Sequence, residues 1–461
     1  MRHNASAVVC VCMLASILIL AAAPAAADSA SYSEALTAYD VSWHNGSAVA
    51  ALGSKLVYIS EGVVSVITPE VHDVVIYSAV LLDHGYKIVV AGSYGTHPLL
   101  GVVDLSGKEA KFSAYVGYFI NGSFLKVRLI DDYIYCTGYL VSENTYEGIV
   151  LAVSREKLLG GKSDLECRVA SITCGSSCYI RDIIKLSSSE LMLIGAHYST
   201  GFYPKYQLLM VFLDKQFKPI LSYLVESENS LRPKGIYVLE NNIILCIGSA
   251  DYGVFFLEFD SQEVSSEGKV TVKLFLPGSR LLSVVATGGS RAVYLLARTS
   301  GPQYVIEVRP ESAPVITELT IHDPIAIILR NDMPILLTSE YKLVDVVGIA
   351  HTLQKPDIEH SRLRTPICEM GNIDIKLTSG NLKVKTTTLS IVNEGGKEWN
   401  TPVGHSTVPY SKSAGISSGA GETFKKDISK WVEHDYIILA VSLILIVTYL
   451  VMRSRVRRLH T

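Results

Sequence analysis

Two stretches hold most of the side chains that could bind or transform a ligand. "GYLVSENTYEG" carries Tyr139, Glu143, Tyr146 and Glu147; "GAHYSTGFYPKYQ" carries Tyr198, Tyr203 and Tyr206; Asp251 and Tyr252 follow. Tyrosine offers a flat apolar face and a hydroxyl, a combination that suits glycans and partner proteins. Carboxylates such as Glu143, Glu147 and Asp251, if they converged, could act as general acid and base on a glycosidic bond. As exposed residues they would simply be solvated. Other catalytic chemistries have no motif: there is no HExxH, GxSxG elbow, Walker glycine loop or EF-hand calcium loop. Asn372-Ile373-Asp374 alternates oxygen ligands, but Lys376 occupies the next ligand position. The 12 histidines form no pair at helical spacing, and Cys167, Cys174 and Cys178 lack the paired C-x-x-C of a zinc site. No cofactor and no metal are expected, and a binding protein is favoured over an enzyme.

The elements that would position these residues repeat along the chain. Short apolar strands end in a small residue in "YKIVVAG" at Gly92, "YIYCTG" at Gly138, "LMLIG" at Gly195, "ILCIG" at Gly248 and "VYLLA" at Ala297. The steps between these ends, by subtraction, are 46, 57, 53 and 49 residues. Each is preceded by an apolar strand and a polar turn, and followed by another strand that ends near a charge. Strand, turn, strand, loop, strand at a period near 50 residues is the pattern of propeller blades.

In that order of strands the chain resembles the β-propeller superfamily over about 320 residues. It has no Trp-Asp repeat, no kelch double-glycine repeat and no sialidase-type Asp box, so the resemblance implies a fold and not a function. The fold expected is all-β: a seven-bladed β-propeller over 28–355, with a first blade around Ser47–His72 and a last around Ile325–Gly348. A pair of β-sandwiches is the competing architecture. The strand from Leu36 to Trp43 is expected to pair into the last blade and close the ring. In a propeller, the loops between second and third strands share one face. Tyr94, Tyr139, Tyr146, Tyr198, Tyr203, Tyr206, Tyr252, Tyr304 and Tyr341 would gather there. Tyr146, Tyr198, Tyr203, Tyr206 and Tyr252 are the expected binding residues.

The same alignment places Cys136 and Cys246 two residues before the small end residue, where other units have Val90, Leu193 and Leu295. Both are expected to be buried thiols. Cys167, Cys174, Cys178 and Cys368 remain as disulfide candidates with three possible pairings, of which Cys174–Cys178 with Cys167–Cys368 is expected.

The ends of the chain predict its compartment. Arg2 and His3 precede an apolar stretch and Ala25-Ala26-Ala27, the pattern of a signal peptide over 1–27. Residues 356–394 read as a small β element, a hairpin turning at Ser379-Gly380-Asn381. A flexible polar stalk follows over 395–426, then a juxtamembrane segment over 427–435. Tyr436 to Met452 is an uncharged run that would span a bilayer as one short helix. The basic tail over 453–461, with four arginines, would stay cytoplasmic. That topology is single-pass type I at the cell membrane, with the bulk extracellular. Asn45 and Asn121 head sequons for glycosylation. Net charge is −3 from 41 basic and 44 acidic residues, so nucleic acid is not an expected partner. The function expected is a membrane-anchored surface module that binds an extracellular protein or glycan. A tethered polysaccharide hydrolase or lyase and a structural cell-envelope component are the alternatives.

Overall fold

The computed structural model describes residues 38–389 except 45, 61–62, 70–72, 83–84, 108–109, 118–119, 143–144, 161–163, 166, 200–203, 252, 261–268, 277, 288–290, 311, 321–322, 331, 353–356, 365–368, 373–376 and 383. Beyond residue 348 the description is of the backbone. All these residues belong to one compact unit, 1–412.

Antiparallel four-stranded sheets follow one another as blade 1 (40–69), blade 2 (74–116), blade 3 (122–173), blade 4 (178–226), blade 5 (231–275) and blade 6 (280–319). A three-stranded sheet forms blade 7 (324–345). The first strand of each blade lies innermost: Asp40–His44, Val74–Leu82, Gly122–Ile130, Cys178–Lys185, Leu231–Val238, Arg280–Ala286 and Pro324–Arg330. Each inner strand approaches the next, and the last approaches the first. The chain is a seven-bladed β-propeller. Apolar side chains of neighbouring blades interleave between the sheets, as Val89, Leu100, Phe124, Ile134 and Leu151 do between blades 2 and 3.

The second strands of blades 2 to 6 run on past the small residue expected to end them, and that residue has a mechanical cause. Opposite it, the inner strand carries one extra residue, a β-bulge, between Ile76 and Ser78, Phe124 and Lys126, Ile180 and Asp182, Pro233 and Gly235, Leu281 and Ser283, and Pro324 and Ala326. The bulge pushes a backbone carbonyl toward the second strand. A Cβ at Gly92, Gly138, Gly195 or Gly248 would lie 1.9, 1.9, 2.0 or 2.2 Å from such a carbonyl oxygen. Glycine is demanded there by close approach.

The ring closes differently from expectation. The N-terminal strand is not a fourth strand of the last blade. Asp40–His44 pairs with Ser47–Ala51 and is the inner strand of blade 1. Closure comes from the Ala38 N–H, which donates to the Ile325 carbonyl at 3.0 Å, and from an apolar cluster shared by blades 1, 6 and 7.

The hairpin expected at 379–381 is likewise absent. Ser379, Gly380 and Asn381 sit inside the strand Leu377–Leu382, opposite Tyr115, Ala114 and Ser113 of blade 2. From residue 348 onward the chain runs back around the rim and adds an outermost strand to one blade after another. Gly348–Thr352 pairs with blade 6, and Asp357–Arg364 bridges blades 5 and 4. Glu369–Asn372 pairs with blade 3, Leu377–Leu382 with blade 2 and Val384–Leu389 with blade 1. The polar–apolar alternation that suggested a hairpin is that of edge strands, and their partners cover blade edges that would otherwise expose unpaired backbone groups. The expected signal peptide, stalk, juxtamembrane segment, membrane span and basic tail lie outside the described residues. Among the described residues no helix is long and apolar enough to cross a membrane.

Cys136 and Cys246 are fully buried free thiols, as expected, and burial raises the pKa of both. The expected disulfide pairings do not hold, because Cys167 and Cys178 are also free. The Cys178 thiol donates to the Ile172 carbonyl at 3.1 Å, and burial pushes its pKa up to about 11. Cys174 is disulfide-bonded. The remaining candidate, Cys368, lies outside the described residues, and Glu369, next to it in sequence, pairs with Thr173. Mass spectrometry of a non-reduced digest should therefore find a peptide joining Cys174 to Cys368. A Cys167–Cys368 or Cys174–Cys178 peptide would contradict this register.

Candidate functional site

Around the axis, the residue after each bulge occupies an equivalent position: Ser78, Lys126, Asp182, Gly235, Ser283 and Ala326, with Asp40 in blade 1. Inner strands of a propeller do not pair with one another, so their backbone groups need other partners. Polar side chains at these positions supply them. Ser78 Oγ accepts from the Val127 N–H of blade 3 at 3.1 Å. Asp182 accepts from the Ile236 N–H of blade 5 at 3.1 Å, and Ser283 from the Ile327 N–H of blade 7 at 3.4 Å. Asp40 accepts from Ser78 Oγ and from Lys126 Nζ, so one carboxylate links blades 1, 2 and 3.

Arg128 extends this network. Its guanidinium donates twice to Asp182, at 2.9 and 2.7 Å, and once to the Ile236 carbonyl at 3.1 Å. Burial alone would raise the Asp182 pKa. The cations Arg128 and Lys126 and the donated hydrogen bonds reverse this and hold the carboxyl below its ordinary value. For Lys126 burial dominates and lowers the pKa in spite of Asp40.

Two faces can be told apart from this layer. Inner strands begin, and second strands end, on the face that bears the tyrosines. Toward the opposite face a cavity of about 260 Å³ is lined by Trp43, Val80, Lys126, Arg128, Tyr237 and Ala286, among others.

On the tyrosine side, the bulge residues of blades 1 to 5 are Tyr39, Tyr77, Leu125, Arg181 and Lys234, none of them fully buried. The Tyr39 and Tyr77 rings meet edge to face at 5.3 Å. Burial, with Tyr139 and Tyr39 adding to it, pushes the Tyr77 pKa up to about 12. Arg181 donates to the Tyr39 carbonyl at 3.5 Å. Lys234 has no hydrogen bond or ion pair among the described residues. Desolvation first, and then the positive charges of Arg181, Lys126 and Arg280 against Asp40, pull its pKa down to about 7.

The expected binding residues continue this face outward. Tyr146 is 46% exposed and meets Tyr139 edge to face at 5.2 Å. Tyr198 lies directly across the ladder from Tyr206 with ring centroids 5.2 Å apart, Tyr179 approaches Tyr206, and Arg232 of blade 5 lies over the Tyr206 ring at 4.5 Å. The tyrosines thus sit at strand ends and are held by one another. Tyr203, Tyr252 and Glu143 lie outside the described residues, as do Asn45 and Cys368. Asn121 is exposed at the edge of this face, its side-chain oxygen accepting from Thr96 Oγ1 at 3.0 Å.

Glu147 belongs to blade 3 and Asp251 to blade 5, where Asp251 accepts the Ser230 N–H at 2.9 Å. One Ser–His contact looks catalytic at first sight: Ser176 Oγ lies 2.8 Å from His197 Nε2. Yet Ser176 donates to the Tyr198 carbonyl at 2.6 Å, and His197 Nε2 lies 3.1 Å from the Cys174 carbonyl. A proton on Nε2 satisfies that carbonyl and prevents the imidazole from acting as a base toward Ser176.

What sequence reasoning missed is the axial layer. The available signal was charge inside strands that are otherwise apolar, Lys126 and Arg128 in "FLKVRLI" and Asp182 in "YIRDIIK".

No protein-family model matches the chain, and no curated protein matches it. Among solved structures, it is similar to a chain of the mitotic checkpoint complex, at 11% identity and a TM-score of 0.44, covering 67% of this chain and 86% of that one. It is also similar to the β-propeller domain of Myceliophteria thermophila Cps50 (Swd1), at 11% identity and a TM-score of 0.41, covering 71% and 95%. A Bombyx mori GH32 β-fructofuranosidase in complex with sucrose aligns at 10% identity and a TM-score of 0.27, covering 76% and 90%. The propeller assignment rests on the strand pairing itself.

Replacing Asp182 with Ala leaves Arg128 and the Ile236 N–H without their acceptor. The variant should lose about 3–5 kcal/mol in urea unfolding of the full chain, the cost of breaking a buried pair from one side. Because the Asp182 pKa is lowered by folding, its contribution is complete above the unfolded carboxylate value and fades as pH falls through the folded one. The difference between parent and variant should shrink in acid; a difference that grows there would contradict the assignment.

Proposed function

We propose that the protein is a membrane-anchored, extracellular propeller whose tyrosine-bearing face docks a protein partner. The observation that carries this reading is the direction of the last described strand. Val384 pairs with Pro69 and Leu389 with Val64, so the strand runs from the tyrosine side of blade 1 toward the opposite face. The chain thus leaves the described residues on the side away from the tyrosines. The expected span at 436–452 and its arginine tail supply the tether, and the expected signal peptide supplies the outward topology.

Support for docking comes from the side chains. Tyr39, Val141 and Tyr146 are large apolar residues exposed on this face, at 39%, 42% and 46%. Aromatic residues held on rigid strand ends lose little freedom on binding and commonly anchor protein interfaces. The packing of Tyr146 on Tyr139 and of Tyr206 between Tyr198, Tyr179 and Arg232 sets a fixed surface rather than a mobile one.

The test is binding of the full chain to arrayed ectodomains and to a glycan array, beside a variant with Tyr198, Tyr203 and Tyr206 changed to Ala. The expected result is a protein ligand whose binding falls at least tenfold in a variant that melts like the parent. Equal binding by both chains would remove the tyrosines from recognition, and a glycan ligand alone would replace the protein partner with a carbohydrate. Protease added to intact cells should digest the head and spare the tail; a protected head would overturn the topology.

A further inference from the structure

We propose that the tyrosine-side mouth of the channel is a carboxylate-binding site, which an acidic side chain of the docked protein enters to meet Lys234, Arg181 and Arg280. This inference rests on the docking reading above and names the chemistry of its centre.

The first ground is an imbalance of charge. Around the axis stand five cations, Lys126, Arg128, Arg181, Lys234 and Arg280, against the carboxylates of Asp40 and Asp182. Those two are already committed. Asp40 holds Ser78 and Lys126, and Asp182 holds Arg128 and two backbone N–H groups. Among the described residues nothing is left over for Lys234, and Arg181 donates to the Tyr39 carbonyl.

The second ground is position. Lys234 is the bulge residue of blade 5, one place before the axial layer, and Arg181 is the bulge residue of blade 4. Arg280 begins the inner strand of blade 6 on the same side. Three cations from consecutive blades therefore stand at the starts of their inner strands, on the side of the axis that bears Tyr39 and Tyr77. Carbon-rich walls raise the strength of an ion pair formed there. The apolar rim at Tyr39, Val141 and Tyr146 would exclude water around it, the arrangement found at interface anchors. That rim favours a side chain projecting from a protein over a free polar ligand.

A third consequence is proton linkage. The groups that face Lys234 are Arg181 from blade 4, Asp40 from blade 1, Lys126 from blade 3 and Arg280 from blade 6. Empty, the mouth keeps Lys234 poised near neutrality, at about 7. An entering carboxylate favours the charged ammonium, so binding takes up a proton and weakens as pH rises through this value.

The probes are a deca-glutamate peptide, a deca-glutamine peptide and a glucuronate oligomer, titrated calorimetrically into the full chain. At pH 6 the glutamate peptide should bind and the glutamine peptide should not. Affinity should fall at least tenfold between pH 6 and pH 8.5. Titrations at pH 7.5 in buffers of different ionisation enthalpy should report uptake of about three quarters of a proton. Lys234→Met should bind at least tenfold more weakly at pH 6 and lose the proton uptake. The proton measurement needs no variant and stands even if Lys234→Met fails to fold. Binding without proton uptake, or equal binding by parent and a folded Lys234→Met, overturns the proposal. Binding of the glucuronate oligomer but not of the peptide overturns the protein side chain as occupant. Failure of every probe overturns the site while leaving the tyrosine face to be judged by its own variant.

Discussion

The inner strands of this propeller hold their neighbours without forming ladders with them, and in blades 2, 4 and 6 a polar side chain placed just after a bulge does this. Ser78, Asp182 and Ser283 accept backbone N–H groups from the next inner strand in the ring, while Asp40 and Arg128 tie three blades apiece. Other features follow from that device. The bulge brings a carbonyl against the second strand, so a glycine faces it there in blades 2 to 5. The bulge also sets an extra residue on the tyrosine side of the axial layer, and those residues include Tyr39, Tyr77, Arg181 and Lys234. Backbone geometry, axial charge and the chemistry of the binding face are thus one arrangement.

The rim is held from outside by different physics. Strands between 348 and 389 add backbone ladders to blades 6, 5, 4, 3, 2 and 1 in turn, against the order of the chain. A propeller of consecutive blades makes mostly local contacts, and this return strand adds the distant ones. It joins blades 4 and 5 into one continuous sheet through Asp357–Arg364. It also covers outer edges that would otherwise be templates for another chain.

Much of this was legible in the sequence where a local rule forced it. The spacing of Gly92, Gly138, Gly195 and Gly248 revealed the blades because in these four a Cβ would collide with the bulge carbonyl. Cys136 and Cys246 could be read as buried because they share a register with Val90 and Leu193. The strand from Leu36 to Trp43 was assigned to the last blade because its marker is a charge: Asp40 is the carboxylate that links three blades. The rim strands were legible as strands, yet nothing local states that Ser379 to Asn381 pairs with blade 2 and not with its own neighbours. Tyr146, Tyr198 and Tyr206 lie where second strands give way to third strands, and their mutual packing depends on cross-strand register, as for Tyr198 opposite Tyr206. Lys234 was overlooked because a lone lysine before a glycine gives no sign that its surroundings are a channel.

Amide hydrogen exchange at three positions tests the axial layer most directly. The Val127, Ile236 and Ile327 N–H groups donate to side chains of the adjacent blade. If that layer holds the ring together, these amides exchange only through global unfolding, as slowly as the ladder amides of the same strands. Exchange of all three at the rate of exposed turn amides, with the ladders still protected, would show that the blades are held by apolar packing alone.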